Sequence, residues 1–399
     1  MKSRLFLDVH AIQTVPPANL NRDDTGSPKT AQYGGVTRAR VSSQSWKRAM
    51  RMQFPYEIKG IRTKRFVELC EKIIDPSIDI DKESFEKDMT FMMDAAGFSV
   101  SDKKGEALIK ALFTYSTKQI EAFLKYYFEN KDEISKLTAK YFEEKDQIGK
   151  EGKKRKINKY DTFTDEEKKK KNNIKDKVME GLKQENSLDI ILFGRMLAGD
   201  KSLTVDACAQ VAHAISTHAI ESEFDFFTAV DDLAPEDNQG AGMLGTIEYN
   251  SSTLYRYANI ALHEFMNKTG EKDATVESAK LFVEAFINSM PTGKINSFAN
   301  QTLPQAVIVT LRKDRPVNMV SAFEKPIKSN DGYVEKSVKR LFEEYPKYDG
   351  MLEEPLFTAY YTFGDYGVQE IGKNENSTKE LINDLGEKIN QYLDKIEQE

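Results

Sequence analysis

Stretches with the spacing of β-strands lie near both ends of this chain, and a long block with helical spacing separates them. Residues 3–13 alternate apolar side chains and are predicted to form a strand that Pro16-Pro17 ends. From Ile58 to Gln184, apolar residues recur at the spacing of amphipathic helices. Strand-like stretches return after residue 187. This order predicts an α+β fold, a small mixed sheet with helices on one face and a helical insertion.

The segments after the helical block predict further elements. Strands are predicted at Leu188–Phe193, Thr253–Leu262, Gln305–Arg312 and Leu356–Tyr361. Helices are predicted at Val205–His218, Thr275–Met290, Lys336–Glu344 and Thr378–Gln398. The segment 221–252 has apolar flanks around a middle rich in Pro, Asn and Gly, which is typical of a long hairpin. The domains are therefore a discontinuous sheet domain at 1–55 and 187–399, an insertion at 56–186 and the hairpin at 221–252.

The composition is that of a soluble globular protein, with 39% hydrophobic and 31% charged residues among 399. No apolar run approaches the ~18 residues of a membrane span, and the N-terminus lacks a signal-peptide pattern. We therefore expect a cytoplasmic protein without a membrane partner. Cys70 and Cys208 stand far apart without a CxxC motif, so neither a disulfide framework nor a zinc site is predicted.

The net charge of −6 argues weakly against a nucleic-acid partner, but local charge matters more than the average. The segment 34–51, GGVTRARVSSQSWKRAMR, contains five cations and no acidic residue. The cations are Arg38, Arg40, Lys47, Arg48 and Arg51. Ser42 or Ser43 is placed to cap a helix, and Val41 and Trp46 have the spacing of a hydrophobic staple.

Such a helix would place its polar and apolar side chains on different faces. Gln44, Lys47, Arg48 and Arg51 share one face, whereas Trp46, Ala49, Met50 and Phe54 have core spacing. The preceding loop, residues 19–29, carries Arg22 and Lys29 toward the same surface. A solvated helix face would account for these cations equally well. Gly34-Gly35 and the two upstream arginines favour the alternative, which is a site for phosphate groups.

Catalytic patterns are weak. The four histidines form no HExxH motif, and no Walker loop, GxSxG or GxGxxG occurs. Asp231 or Asp232, in the predicted hairpin, is the strongest candidate for a catalytic carboxylate. We therefore expect no enzyme activity, no metal and no cofactor. The lysine-rich part of the insertion, 143–177, is predicted to be a mobile, solvated connection, although it could also bind nucleic acid.

Several motifs resemble the CasC family, the crRNA-binding backbone subunit of the type I-E CRISPR Cascade surveillance complex. They are LNRDD (20–24), GGVTRARVSSQSWKRAMR (34–51), GRM (194–196), HAISTH (213–218), FFTAVDD (226–232), YRYANI (255–260) and SAFEKPIK (321–328). They occur in the family's order. The insertion resembles the family only in its helical character, and the tail after about residue 340 resembles it weakly.

The resemblance implies a hand-shaped fold. It comprises a modified RRM-like (ferredoxin-like) palm, helical fingers and a β-hairpin thumb. It also implies partners: crRNA, the target DNA strand paired with the guide in an R-loop, further copies in a head-to-tail filament, and the large, small and crRNA-end-capping subunits. The implied role is antiviral defence, with the guide rather than the protein reading sequence.

Residue roles follow from the same resemblance. Contacts to the crRNA backbone are implied for Arg22, Lys29, Ser42, Gln44, Lys47 and Arg51. The other cations of the basic segment, Arg38, Arg40 and Arg48, are also predicted to bind crRNA. Met196 resembles the apolar residue that packs at a kink in the guide, and the thumb residues are Phe226, Phe227, Met243 and Leu244. Two alternatives remain. One is a metal-dependent ribonuclease similar to type III backbone subunits, with Asp231 or Asp232 as its carboxylate. The other is a monomeric RRM-type RNA binder.

Overall fold

The structure, a computed structural model, describes residues 4–103, 106–151, 160–196, 201–229 and 243–398. The chain divides into two compact units. The sheet unit comprises Met1–Phe54 and Cys208–Glu399, and the helical unit comprises Pro55–Ala207. The predicted α+β class is confirmed. The second boundary falls at residue 207, whereas the sequence placed it at 186, because residues 188–207 belong to the helical unit.

Both units contain strands and helices. The strands are β1 Phe6–Ala18, β2 Thr30–Tyr33, β3 Val36–Val41, β4 Ile61–Thr63, β5 Val100–Lys103, β6 Glu106–Ile109, β7 Phe113–Tyr115, β8 Ala209–Val211, β9 Ala214–Ser216, β10 Glu223–Ala229, β11 Met243–Ala261, β12 Pro304–Arg312, β13 Phe357–Thr362 and β14 Lys373–Asn374. The helices are α1 Ser43–Gln53, α2 Phe66–Ile73, α3 Lys82–Ala95, α4 Thr117–Glu129, α5 Lys131–Glu151, α6 Asp165–Lys183, α7 Leu188–Phe193, α8 Leu262–Thr269, α9 Lys272–Asn288, α10 Ile295–Phe298, α11 Val334–Glu344 and α12 Thr378–Gln398. Among the described residues, no helix is long and apolar enough to cross a membrane.

Strand β1 lies in the middle of a ten-stranded sheet, whose order is β14-β13-β12-β1-β11-β9-β3-β2 with β8 and β10 also paired to β11. It is antiparallel to both β11 and β12. The prediction that Pro16-Pro17 ends this strand is wrong. The register shifts by one residue between Val15 and Ala18, opposite Ser252 and Asn250, so the prolines lie at a bulge where a missing N–H is tolerated.

Helices cover both faces of this sheet, so the prediction of helices on one face is wrong. Successive side chains of a strand point to opposite faces. The Tyr255 ring packs on Phe323, with ring centroids 5.3 Å apart, in a core that includes Leu341 of α11. The neighbouring Arg256 lies over the rings of Trp46 in α1 and Phe286 in α9. Helices α1 and α9 therefore lie on the face opposite α11.

Two predicted elements have the wrong type. Leu188–Phe193, predicted as a strand, forms helix α7, because a short apolar run has no period that separates the two structures. The helix predicted over 205–218 is instead the short strands β8 and β9. Both pair with β11, so tertiary pairing overrides the helical spacing of the apolar residues.

The remaining predictions for the sheet unit are confirmed with small changes in their bounds. They are the strands in β11, β12 and β13 and the helices α9, α11 and α12.

The helical unit has its own core, built mainly by α2, α3, α4, α5 and α6, and includes the two-stranded sheets β4-β7 and β5-β6. Residues 107–112, which have helical spacing, form part of β6 and the turn after it. The lysine-rich segment 143–177 is predicted to be a solvated connection, whereas its residues 143–151 and 165–177 lie in helices α5 and α6. Helix α6 contacts α5 through Lys170–Glu133 and Lys140–Glu167 ion pairs of 3.0 and 2.6 Å.

Candidate nucleic-acid interface

Helix α1 begins at Ser43, as the sequence predicts, but its cap differs from the prediction. Ser42 has extended backbone geometry and its hydroxyl makes no capping hydrogen bond. Instead, the Ser42 N–H donates to Asn21 Oδ1 at 2.8 Å. The first turn contains no acidic residue. The loop 19–29 therefore fixes the start of α1. Because the first turn has no acidic side chain, the positive end of the helix dipole is not neutralised there.

The inward face of α1 is anchored by a buried stack. The ring of Trp46, which is 1% exposed, lies 3.7 Å from the Arg256 guanidinium, so the prediction of a core tryptophan is confirmed. Arg256 donates to the carbonyl of Phe286 at 2.6 Å and to Gln13 Oε1. Burial lowers the pKa of Arg256 to about 9. This stack sets the rotation of α1 and turns its other face outward.

The outward face carries the polar side chains that the spacing predicts. Gln44 and Arg48 are exposed, whereas Lys47 and Arg51 are half-buried. Burial lowers the pKa of Lys47. Three of these side chains are cations, and one α-helical face brings them within reach of the same strand of phosphates.

Hydrogen bonds hold the loop 19–29 together and connect it to its neighbours. The Asp23 carboxylate accepts hydrogen bonds from the hydroxyl and N–H of Thr25 and from the N–H of Ser27, which lower its pKa. The Asn19 amide donates to Glu248 O at 2.9 Å, so the loop also contacts the start of β11. Arg22 and Arg48 line one groove of about 660 Å³, together with Asp23 and Asp24. The predicted approach of Arg22 to the basic helix is therefore confirmed.

A second cation cluster lies at the edge of β3. The Lys29 carbonyl accepts the Arg40 N–H at 2.9 Å. The Arg40 guanidinium lies 3.0 Å from Nδ1 of His213. Burial, Arg40 and Lys29 together lower the pKa of His213. Sequence reasoning missed His213 as a surface residue of this cluster because it placed 205–218 in a helix. Its position in the HAISTH motif was the available signal.

Two features upstream of α1 have structural roles instead of the predicted anion-binding role. Arg38 is 0% exposed, and its guanidinium donates to the carbonyls of Tyr33, Ser216, Phe323 and Glu324. It has no accessible face for a phosphate, so its assignment as a crRNA contact is corrected. Gly34 and Gly35 have φ of +60° and +77° and form the two-residue turn between β2 and β3.

The arms of the predicted hairpin are β10 and the first part of β11, paired from Glu223↔Tyr249 to Ala229↔Met243. Directly opposed residues share a face. One face therefore presents Phe224, Phe226 and Leu244, each more than half exposed. The other face presents Met243 and the Phe227 ring, which covers Gly245. Asp231 and Asp232 lie outside the described residues.

Met196 belongs to the helical unit, where its side chain is 86% exposed. The preceding Arg195 is buried and donates to the carbonyls of Leu203, Thr114 and Leu182. Burial lowers the pKa of Arg195 to about 10. The GRM motif thus combines a structural arginine with an exposed apolar side chain. Among the described residues, no cluster of three or more His, Cys, Asp or Glu side chains forms a metal site.

One solved structure, described as "CRISPR RNA-guided surveillance complex, pre-nicking", has a chain 30% identical to this one, with a TM-score of 0.74 and coverage of 96% of this chain and 99% of that chain. A second, described as "CRISPR RNA-guided surveillance complex", has 26% identity, a TM-score of 0.58 and coverage of 96% and 98%. No curated protein matches. The profile of the CT1975-like protein family matches residues 7–388, and because this is most of the chain, the protein belongs to that family.

Proposed function

We propose that this protein is a crRNA-binding backbone subunit of a type I-E CRISPR Cascade complex. The main observation behind the proposal is that the loop 19–29, β3 and α1 all carry cations and are joined by hydrogen bonds. The same loop is hydrogen-bonded to β11 at the base of the exposed hairpin. The similarity to chains of RNA-guided surveillance complexes supports an RNA partner. In this assignment the sheet unit is an RRM-like palm, the helical unit the fingers and the hairpin the thumb.

The site suits the backbone of an RNA strand better than its bases. Lys47, Arg48 and Arg51 are long cations, which bind phosphates without reading sequence. RRM-type domains instead stack bases on aromatic side chains of an open sheet face. Here the central strands β1 and β11 have helices packed on both faces. The guide would therefore keep its base edges free to pair with target DNA.

We propose that copies of the chain assemble head to tail along the guide. Both faces of the hairpin present exposed apolar side chains, which a single chain leaves in water. A hairpin that docks on a different surface of the next copy makes a heterologous contact, and such contacts generate open filaments. The hairpin of one copy would cross the guide and displace a nucleotide from pairing. The exposed Met196 would pack at that kink.

Charge reversal on α1 tests the RNA role. We expect Lys47→Glu combined with Arg51→Glu to abolish binding of guide-length RNA in electrophoretic mobility shifts, because two attractive contacts become repulsive. Lys339→Glu is the control, since Lys339 lies on α11, on the opposite face of the sheet. Circular dichroism would verify that each variant is folded. Normal RNA binding by the folded double variant contradicts the proposal.

Salt dependence measures the size of the phosphate contact. If one subunit neutralises about four phosphates of single-stranded RNA, log K should fall with log salt with a slope of about −3 per subunit. Fluorescence anisotropy over a range of salt concentrations measures this slope. A slope near zero would show that phosphate contacts do not drive binding.

We also propose that the subunit has no catalytic role. Incubation of the RNA-bound protein with complementary RNA and Mg²⁺ should leave that RNA intact. Regularly spaced cuts that disappear in Asp231→Ala or Asp232→Ala would instead support the type III-like ribonuclease.

A further inference from the structure

The guanidinium of Arg40, in β3, is held by two hydrogen bonds at the surface of the sheet unit. Nε donates to the carbonyl of Thr30 and Nη1 donates to Nδ1 of His213, each at 3.0 Å. Thr30 begins β2 and His213 directly precedes β9, so the two acceptors come from the two strands that flank β3. Because the guanidinium is a rigid plane, two acceptors on different sides fix its orientation.

Arg40 keeps donors that the fold does not use. A guanidinium has five N–H groups, and the two contacts above occupy two of them. Among the described residues, none accepts from the other three, and no carboxylate forms an ion pair with Arg40 or Lys29. Arg40 is half-buried and His213 is exposed, and both hydrogen bonds lie at the surface. An anion can therefore reach the guanidinium from solvent.

The contact with Arg40 defines the protonation state of His213. Arginine stays protonated in proteins, so its N–H donates and Nδ1 of His213 accepts. The imidazole is therefore neutral and carries its proton on Nε2. Burial and the positive charges of Arg40 and Lys29 lower the pKa of His213, which favours the same neutral form. A neutral acceptor orients the guanidinium and leaves its full charge for an anion, whereas a carboxylate in the same place would neutralise it.

We propose that His213 is a positioning residue for RNA binding, which holds the Arg40 guanidinium in the orientation in which its unused N–H groups bind one phosphate group. The proposal rests on the proposed function, in which Arg40 and Lys29 are cations of the interface. Immobilising a long side chain on binding weakens affinity, and an arginine that is already held avoids most of this loss. His213 therefore contributes to affinity through Arg40 and does not itself contact the RNA.

A double-mutant cycle tests the coupling between the two residues. Binding of guide-length RNA is measured by fluorescence anisotropy for the unaltered full chain, His213→Ala, Arg40→Gln and the double variant. We expect His213→Ala to bind roughly threefold to tenfold more weakly, the range for ordering one long side chain. Its salt slope should stay unchanged because Arg40 keeps its charge, whereas Arg40→Gln should make the slope shallower by about 0.7. The double variant should bind as Arg40→Gln alone does.

Two further measurements address the acceptor itself. His213→Asn supplies a neutral amide oxygen in place of Nδ1, so it should restore most of the affinity that His213→Ala loses. Circular dichroism would verify that each variant is folded. Nitrogen-15 NMR of labelled histidine in the RNA-free chain at pH 7.5 should show His213 as the neutral tautomer with its proton on Nε2.

The outcomes separate this proposal from the proposed function. Unchanged affinity in folded His213→Ala overturns the role of His213, as does an equal loss from His213→Ala with and without Arg40, which would show that the residue acts independently of Arg40. Failure of folded His213→Asn to restore binding, or a proton on Nδ1 in the NMR spectrum, also overturns it. In each of these cases RNA binding by the unaltered chain leaves the proposed function standing. If the unaltered chain binds no RNA, the proposed function fails and the role of His213 fails with it.

Discussion

At the scale of single residues, arginines close together in the sequence differ in what they contact. Arg38 satisfies four backbone carbonyls inside the sheet unit, whereas Arg48, on the outer face of α1, is exposed to solvent. The sequence places both in one basic segment and does not distinguish them. The difference arises because Ser216, Phe323 and Glu324, which accept from Arg38, come from distant parts of the chain.

This difference predicts opposite results for two matched substitutions. Arg48→Gln should make the salt slope of RNA binding shallower by about 0.7 and leave stability unchanged. Arg38→Gln should lower the free energy of unfolding by roughly 3 kcal/mol, because several buried carbonyls lose their donor. Urea denaturation and anisotropy titrations measure the two effects. Equal destabilisation by both variants would contradict the structural role of Arg38.

His10 predicts a pH dependence of stability. Its ring is buried in β1, with Nδ1 2.9 Å from the Tyr255 hydroxyl, and burial lowers its pKa to about 3. Unfolding returns the group to a pKa of about 6.5, so the unfolded chain binds an additional proton in the range between these values. The contribution of His10 to stability is therefore lost as pH falls from about 6.5 toward 3, by roughly 2 kcal/mol at pH 5.

The measurement is urea denaturation of the RNA-free chain at pH 8 and pH 5. Relative to the unaltered chain, His10→Gln should gain roughly 2 kcal/mol in free energy of unfolding at pH 5 compared with pH 8, since glutamine does not titrate. At pH 8 the His10 imidazole and the glutamine amide that replaces it are both neutral, so the measurement at pH 8 serves as the internal reference. An identical pH dependence in the variant would contradict the assignment.

At the scale of elements, the β2–β3 turn shows how one pair of residues misled the sequence interpretation. A glycine pair beside arginines favours anion binding, but it is equally typical of a two-residue hairpin turn. Both glycines have positive φ. Only Gly34 is also packed: a Cβ there would lie 1.6 Å from the Glu324 carbonyl oxygen, whereas a Cβ at Gly35 would meet nothing within 4 Å.

Substitution of the two glycines should therefore have unequal effects. Gly35→Ala should cost about 1 kcal/mol in free energy of unfolding, which is the strain of a left-handed backbone. Gly34→Ala should cost clearly more, because the segment that carries Glu324 must also move. Chemical denaturation of both variants measures the ratio. A smaller cost at Gly34 would contradict the packing of this turn.

The periodicity of apolar residues predicted the correct element type where the local pattern matches the way the element packs in the fold. Helix α1, with its apolar and cationic faces, and strand β12 were both predicted. The segments α7, β8 and β9 were not, because their type depends on neighbours that the local sequence does not contain.

At the scale of the whole molecule, the exposed hairpin predicts that assembly and RNA binding can be separated. Phe226→Ser combined with Leu244→Ser should weaken association between copies on long RNA, because both apolar side chains lie on one exposed hairpin face. Binding of one copy to short RNA should stay close to normal. Analytical ultracentrifugation with long and short RNA measures both. Unchanged assembly of the double variant would show that this face does not mediate contact between copies.

The central position of β1 has a consequence for synthesis of the chain. Its two partners in the sheet lie beyond residue 249 and beyond residue 303, so the first strand to leave the ribosome cannot pair until most of the chain has followed. The helical unit, Pro55–Ala207, has its own core and is translated in between. Because domains fold as their residues emerge, the helical unit should become protease-resistant on ribosome-bound nascent chains first. The apolar β1 would remain without its strand partners until then, which makes this interval the period when aggregation or chaperone binding is most favoured.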